Sequence, residues 1–208
     1  MIKKILLLIV LSIVLVSNGQ NKLTLPNDST QIRVFYAINY EKLPFKMKMM
    51  KKMLPKESVS YYSKIGNRIE VDINGTIMGK DIVSSTIMIQ NYIDSIMSIY
   101  ITATINDSII NNSIKNISIP ISPISTISFY DQHKEILGYN CVYFTSENDS
   151  TKIEGFLTKE ISGVGEFKNV GMPLEYRTIH KKDKYTSNTQ AKKILLESFD
   201  ENQFIIYD

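Results

Sequence analysis

The segment Arg68-Ile69-Glu70-Val71-Asp72-Ile73 carries the clearest structural signal in the chain, and Asn74-Gly75 follows it directly. Polar and apolar side chains alternate at each of the first six positions, and this is the period of a β-strand with one buried face. Asn-Gly between alternating residues is the strongest short signal for a hairpin turn. The sequence therefore predicts a strand that ends at Ile73 and a turn at Asn74-Gly75.

The same alternation continues in both directions along the chain. Further strands are predicted around residues 32–40, 85–93, 97–105, 139–145, 152–159, 174–181 and 185–196. Short turns join them, and parallel neighbours would need long crossovers, so the strands form an antiparallel meander. About eight strands with one apolar face predict a mainly β fold, in which a meander curves into a half-open β-barrel. Its concave face would then need a cover.

One helical segment is placed to supply this cover. Residues 43–55 carry Pro44 near the predicted helix start and Pro55 after its end, positions that suit proline. At about 100° per residue, the apolar side of this helix consists of Phe45, Met49, Met50, Met53 and Leu54. Methionine adapts to varied apolar shapes, which suits a gate over a cavity. We therefore expect one short amphipathic helix that acts as a lid.

Residues 106–125 form a low-complexity stretch rich in Ile, Ser and Asn. Its Ile-Ser alternation is compatible with a strand, but Pro120 and Pro123 restrict such a strand to the edge of a sheet. The prediction is a long loop with a bordering edge strand.

The first 19 residues have the three-part layout of a secretory signal peptide. A basic start at Met1–Lys4 precedes an apolar run at Ile5–Val16, and Ser17-Asn18-Gly19 offers small residues for cleavage. The alternative is an uncleaved anchor, although the apolar run is shorter than a membrane span. The sole cysteine, Cys141, lies far from this point, so no lipobox is expected. We expect a signal peptide at 1–19 and a single β-rich domain at 20–208, located in the periplasm or secreted.

The composition argues against most catalytic chemistry. The chain has 24 basic and 21 acidic residues, and without Lys3 and Lys4 of the leader the balance is 22 to 21, which gives no case for nucleic acid. His133 and His180 are the only histidines, with no metal-ligand spacing and no Gly-x-Ser-x-Gly motif. The expectation is a protein that is not an enzyme, with no cofactor and no metal. Cys141 is expected to be a small buried hydrophobe, the alternative being a reactive thiol.

Three motifs in the C-terminal part occur in a fixed order. They are Ile136-Leu137-Gly138-Tyr139-Asn140-Cys141, then Phe156-Leu157-Thr158-Lys159-Glu160-Ile161, then Gly171-Met172-Pro173-Leu174-Glu175-Tyr176. This order resembles exported bacterial families of unknown function that include the GLPGLI family, which are similar in turn to the periplasmic lipoprotein carriers of the Lol pathway. The resemblance implies a LolA-like half-barrel with an apolar cavity for acyl chains. It brings no catalytic residues.

These observations predict a binding protein for a lipid, a lipoprotein acyl chain or another hydrophobic ligand. The expected ligand contacts are Phe45, Met49, Met50 and Met53 in the lid, and Met97, Ile99, Ile101 and Ile105 in the concave wall. The alternative for each of these residues is plain core packing. The alternative function is a cell-envelope interaction protein without a small ligand, in which the stretch Ile114–Ile127 adds a strand to a partner.

A cluster of lysines on the predicted lid suggests a second partner. Lys48, Lys51 and Lys52 lie on the polar side of the helix, where they would contact an anionic membrane surface. The alternative is a solvated helix face. The oligomeric state is left open by the sequence.

Overall fold

The computed structural model describes residues 29–49, 51–77, 80–91, 96–105, 108–118, 126–161, 167 and 170–204. Within these residues the strands are β1 (Thr30–Glu41), β2 (Glu57–Tyr62), β3 (Gly66–Ile77), β4 (Lys80–Asn91), β5 (Ile96–Ile105), β6 (Ser108–Ser118), β7 (Thr126–Ile136), β8 (Tyr139–Glu147), β9 (Thr151–Thr158), β10 (Met172–His180) and β11 (Tyr185–Ser198). One helix, α1 (Phe45–Met49), and the 3-10 turns Lys51–Met53 and Glu201–Phe204 complete the described part.

All these strands belong to one antiparallel sheet. Its order is β6-β5-β4-β3-β2-β1-β11-β10-β9-β8-β7. Consecutive strands therefore pair with each other except for β6 and β7, and β1 also pairs with β11. The strands β6 and β7 are the two edges and do not pair with each other. The predicted antiparallel meander is therefore confirmed, and the sheet stays unclosed between β6 and β7.

The sheet curls around a core on one of its faces. Ile32 and Val34 of β1, Phe144 of β8 and Leu174 of β10 have no exposed surface. Among the described residues no second sheet covers them, and a flat sheet would leave them in water. Curvature is also visible between β1 and β10, since the Tyr36 hydroxyl donates a hydrogen bond to the Pro173 carbonyl at 3.3 Å across the intervening strand β11. We call this inner side the concave face and the outer side the convex face.

The residues of the C-terminal motifs are turn and core residues. Leu137 and Gly138 connect β7 to β8 with positive φ angles of 53° and 82°, a conformation that favours glycine. A Cβ atom at Gly171 would collide with the Thr158 carbonyl oxygen and would lie 2.6 Å from the Leu157 Cδ1 atom. Both motif glycines, Gly138 and Gly171, therefore lie where the backbone leaves no room for a larger residue or favours glycine.

The lid helix is shorter than predicted. Instead of one helix over residues 43–55, the chain forms α1 and then a 3-10 turn. The amide of Lys48 bonds to the Pro44 carbonyl at 2.9 Å, whereas the amide of Leu54 bonds three residues back to Lys51 at 3.3 Å. A helix of so few turns has little intrinsic stability, so tertiary contacts decide where it ends. No helix in the described part is long and apolar enough to cross a membrane.

The hairpin turn predicted at Asn74-Gly75 is wrong. β3 continues to Ile77, with Asn74 opposite Val83 and Gly75 opposite Ile82 on β4. The physical reason is that Gly75 provides space for a segment that crosses the sheet, as described below. The edge strand predicted in residues 106–125 is present as β6, while residues 119–125 lie outside the described part. The predicted signal peptide also lies outside it.

Candidate ligand-binding site on the concave face

The candidate site is built from cross-strand partners on β2, β3, β4 and β5. Directly opposite residues of antiparallel strands point to the same face of a sheet. Since Tyr62 is opposite Ile32 of the core, Tyr62 lies on the concave face. The register then identifies which residues of β3, β4 and β5 lie on the same face. Three rows of directly opposite residues do so: Asn67, Gln90 and Met97; Ile69, Met88 and Ile99; and Val71, Thr86 and Ile101.

This part of the concave face is covered much less than the core. The apolar side chains of Ile69, Val71, Met88, Ile99 and Ile101 are all half-buried. The core residues of β1 on the same face are completely buried. The concave face therefore divides into a packed half around β1, β8 and β10 and a half-covered apolar surface on β3, β4 and β5. We call the latter the apolar wall.

The segment after α1, which we call the crossing segment, lies against this face of the sheet near the C-terminal end of β3. A Cβ atom at Gly75 would lie 2.6 Å from the Met53 Sδ atom and 3.1 Å from the Lys52 carbonyl oxygen. Gly75 alternates with Val71 and Ile73 along β3, so the missing side chain would point to the concave face. Met53 therefore lies over the same face as the apolar wall, with the backbone of β3 beneath it.

The lid residues expected to contact a ligand behave differently from one another. Met53 is half-buried, whereas Phe45 and Met49 are 77% and 75% exposed. Exposed aromatic and methionine side chains on one short helix are unusual for a packed core, so plain core packing does not account for Phe45 and Met49. Met50 lies outside the described residues.

The wall residues expected from the sequence lie on one strand. Met97, Ile99 and Ile101 occupy alternate, half-buried positions of β5, on the face that Met53 crosses. Ile105 ends β5, where its backbone pairs with Ile82 of β4 and Ser108 of β6. The register thus brings the three central wall residues and Met53 to the same face of the sheet.

A groove of about 350 Å³ opens beside the crossing segment. Its lining includes Lys52 and Leu54 of that segment and Ile73 of β3, together with Val59, Glu70 and Asp72. The last three alternate with the concave residues Ser60, Ile69 and Val71, so this groove is lined mainly from the convex face and is separate from the apolar wall. Lys48, Lys51 and Lys52 are exposed on the same segment.

Polar groups on the concave face cluster between the packed half and the apolar wall. The Asn67 side chain is buried with 6% exposure, and its Oδ1 atom has no hydrogen-bond partner. The Gln90 amide beside it donates to the Met97 Sδ atom at 3.9 Å. A buried amide oxygen without a partner costs free energy, so these side chains are the polar feature of the site. No sequence motif singled out Asn67 or Gln90.

Three buried tyrosines, Tyr36, Tyr62 and Tyr176, lie in the packed half, and Tyr62 is directly opposite Asn67. Burial raises the pKa of Tyr36 well above its ordinary value, and the neighbouring Tyr62 and Tyr176 add to that shift. Burial likewise raises the pKa of Tyr62 and of Tyr176. The three hydroxyls therefore remain protonated hydrogen-bond donors far above neutral pH.

The candidates for catalysis are dispersed. Cys141 is buried with 1% exposure, as predicted, and burial raises the pKa of its thiol to about 11. His133 is exposed and lies 3.2 Å from the Asp131 carboxylate, while His180 stacks on Tyr185 with ring centroids 4.0 Å apart. Among the described residues no three His, Cys, Asp or Glu side chains are placed to hold a metal ion.

No family model and no curated protein matches the chain. Among solved structures, PNGF-II is similar over 84% of this chain, with 14% identity and a TM-score of 0.41, but the chain spans only 29% of that protein. A domain described as an outer membrane lipoprotein-sorting protein, from Vibrio parahaemolyticus, is similar at 8% identity and a TM-score of 0.26, with 84% of this chain and 88% of that domain covered.

A DUF1329 family protein from Desulfovibrio piger ATCC 29098 is similar at 7% identity and a TM-score of 0.27, with 85% of this chain and 89% of that chain covered. The description of the Vibrio domain names the same class of protein as the resemblance of the C-terminal motifs. The function is argued below from the residues of the concave face alone.

Proposed function

We propose that the protein is an exported, non-enzymatic binding protein that holds a hydrophobic ligand, such as a lipid or a lipoprotein acyl chain, on its apolar wall. The observation that carries this proposal is the half-covered row of Met97, Ile99 and Ile101 on the concave face that Met53 crosses. Removing apolar area from water contributes about 25 cal/mol per Å², so such a surface favours an apolar occupant.

The segment from α1 to Met53 supports a role as the cover of this site. Met53 contacts the bare backbone at Gly75, whereas Phe45 and Met49 are exposed and free to pack on a ligand. Methionine side chains suit this role because their flexible thioethers adapt to different apolar shapes. The predicted contacts of Met50 and Ile105 belong to the same proposal.

The site of action that fits this proposal is the periplasm or the exterior of the cell, because the sequence begins with the layout of a signal peptide. Lys48, Lys51 and Lys52 are exposed on the segment that covers the wall, so they would bring this segment to an anionic membrane surface. A lipid would then enter or leave beside the crossing segment.

The test uses two substitutions at adjacent positions of β5. Ile99 lies on the concave face, and Tyr100 next to it lies on the convex face; both are half-buried. Binding of a dansyl-labelled fatty acid is measured by fluorescence. Ile99→Asp should weaken binding by about tenfold or more, while Tyr100→Asp should leave it within about twofold, because only the first places a charge in the site.

Circular dichroism establishes that both variants keep the β-sheet. Equal binding by native protein and Ile99→Asp would contradict the proposal, as would the absence of any saturable binding by the native protein. Met53→Asp tests the role of the crossing segment in the same assay. Unchanged binding of the fatty acid by this variant would show that the segment is not part of the site.

A second candidate function rests on the edge strand β6. Ile109 and Ile110 on this strand are 69% and 52% exposed, and an edge strand offers unpaired backbone groups to a partner. We propose as the alternative a cell-envelope interaction protein that adds a partner strand along the edge strand β6 (Ser108–Ser118). Failure of ligand binding together with partner-dependent protection of β6 amides from hydrogen exchange would favour this alternative.

A further inference from the structure

A second groove lies on the convex face, opposite the proposed lipid site. It has a volume of about 380 Å³ and runs over β1, β8, β9, β10 and β11. That volume is within the range of about 300–1,000 Å³ typical of small-ligand sites. The cross-strand register places one row of side chains along it, comprising Tyr143, Phe156, Glu175 and Gln190, and beside it a second row comprising Glu154, Arg177, Asn188 and Asn39.

The second row is an array of planar hydrogen-bonding groups. The Arg177 guanidinium lies 3.5 Å from the Glu154 carboxylate and 3.4 Å from the Glu41 carboxylate. The Asn188 amide donates to Glu41 at 2.8 Å. These pairs leave spare capacity on the two terminal nitrogens, because a guanidinium has five donors and each of these nitrogens makes one ion pair. Donors and acceptors therefore alternate along the groove.

The charges in and around this groove compensate each other. Lys134 pairs with Glu175 at 2.7 Å, and Lys152 pairs with Glu154 at 2.8 Å. Arg177 then balances the carboxylate of Glu41. Lys192 also donates a hydrogen bond to Gln190, so the groove and its rim hold four cationic and three anionic groups. This near balance gives little net attraction for an ion and favours a neutral ligand with many hydroxyl groups.

One end of the groove is aromatic. The rings of Tyr143 and Phe156 meet edge to face with centroids 5.3 Å apart, and Tyr130 extends the cluster with its ring 5.7 Å from Tyr143. Aromatic side chains supply rigid apolar area next to polar groups. A sugar ring has this same combination, with apolar C–H faces and a rim of hydroxyls that each donate and accept.

From these features we infer that the convex groove binds a neutral oligosaccharide. The hydroxyls would pair with Arg177, Asn188 and Gln190, and the apolar face of a ring would pack at Tyr143 and Phe156. The lipid site does not enter into this inference, since the groove lies on the other face of the sheet. The protein would then hold a sugar on one face independently of the ligand on its concave face.

The experiment titrates the full mature chain with neutral trisaccharides (maltotriose, cellotriose, chitotriose and mannotriose) and with the acidic sugar sialyllactose. Backbone amide shifts in nuclear magnetic resonance spectra report binding. At least one neutral trisaccharide should bind saturably below about 10 mM and shift the amides of Phe156, Glu175 and Gln190. No shift with any neutral sugar, or binding of sialyllactose alone, would overturn the inference.

The double variant Asn39→Ala/Gln190→Ala tests the location of the site. Both side chains are exposed, so the sheet should keep its native spectrum. Sugar affinity should fall by about tenfold, which corresponds to about 1.4 kcal/mol. The control Asn74→Ala removes an exposed amide of β3 outside the groove and should leave affinity unchanged. An equal loss in the control, or no loss in the double variant, would overturn the inference.

Discussion

The Sδ atom of Met53 lies 2.6 Å from the point that a Cβ at Gly75 would occupy, so Met53 rests directly on the bare backbone of β3. This contact fixes where the segment after α1 crosses the concave face. It also explains why an Asn-Gly pair, which usually forms a turn, lies inside a paired strand here.

Replacing Gly75 with Val should displace the crossing segment. The added side chain would meet the Met53 Sδ atom and the Lys52 carbonyl, and overpacking of this kind costs about 1–3 kcal/mol. Trypsin cleavage after Lys51 or Lys52 should become several-fold faster, while the circular dichroism spectrum keeps its β signal. Asn74→Ala, at the exposed neighbouring position, is the control. Native cleavage rates in Gly75→Val would show that this contact does not hold the segment.

The hydroxyl of Tyr36 should stabilise the curl of the sheet. It donates to the Pro173 carbonyl at 3.3 Å and shares a hydrogen bond with Tyr62. Tyr36→Phe keeps the buried ring and removes the donor to the Pro173 carbonyl, while Tyr62 keeps its hydrogen bond with Ser60. The change should lower the free energy of unfolding by about 1–3 kcal/mol. Urea unfolding measures this change, with Tyr40→Phe, on the less buried end of β1, as the comparison. If Tyr36→Phe is as stable as the native protein, the hydroxyl does not stabilise the curl of the sheet.

Alkaline pH should weaken the fold through Cys141. Burial, and after it the nearby Glu160 carboxylate, raises the pKa of this thiol from its ordinary 9.0 to about 11. The folded state therefore keeps a proton that the unfolded chain has lost, so the stabilisation is complete below about pH 9 and disappears as the pH rises to about 11. Cys141→Ala should flatten this part of the curve of unfolding free energy against pH. An unchanged slope in the variant would contradict the role of the thiol.

The exposed lysines on the crossing segment should contribute to membrane binding. Lys48→Glu/Lys51→Glu/Lys52→Glu should reduce binding to vesicles that contain phosphatidylglycerol, because each lysine near an anionic surface contributes about 1 kcal/mol. The effect should weaken as salt is added. Lys182→Glu/Lys184→Glu, which reverses two charges in the turn between β10 and β11, is the control for charge reversal away from the crossing segment. Equal vesicle binding by the native protein and the triple variant would contradict the proposal.

Strands with one buried face were predictable, and strands without one were not. β3 and β5 alternate because their two faces meet different environments. β7 is exposed along nearly its whole length, and residues 57–62 of β2 carry polar residues on the buried side, so neither shows the two-residue period. The sequence therefore predicts about eight strands where the described part has eleven.

The candidate sites were harder to predict from the sequence than the strands, because their geometry depends more on tertiary structure. A helical wheel groups Met53 with Phe45 and Met49, but the 3-10 turn changes the phase, so that Met53 is half-buried while the other two are exposed. The wall on β5 was predictable because its residues alternate within one strand. The convex groove was not, because it joins side chains from five strands, such as Asn39 and Phe156, that no local motif connects.

Native mass spectrometry shows whether a hydrophobic ligand occupies the apolar wall. The protein is purified without detergent from the cells that produce it naturally, and anything bound is extracted with organic solvent. We expect a stoichiometric lipid or acylated peptide, which Ile99→Asp loses and Tyr100→Asp keeps. An unliganded mass, with no uptake from a mixed lipid extract, would contradict it.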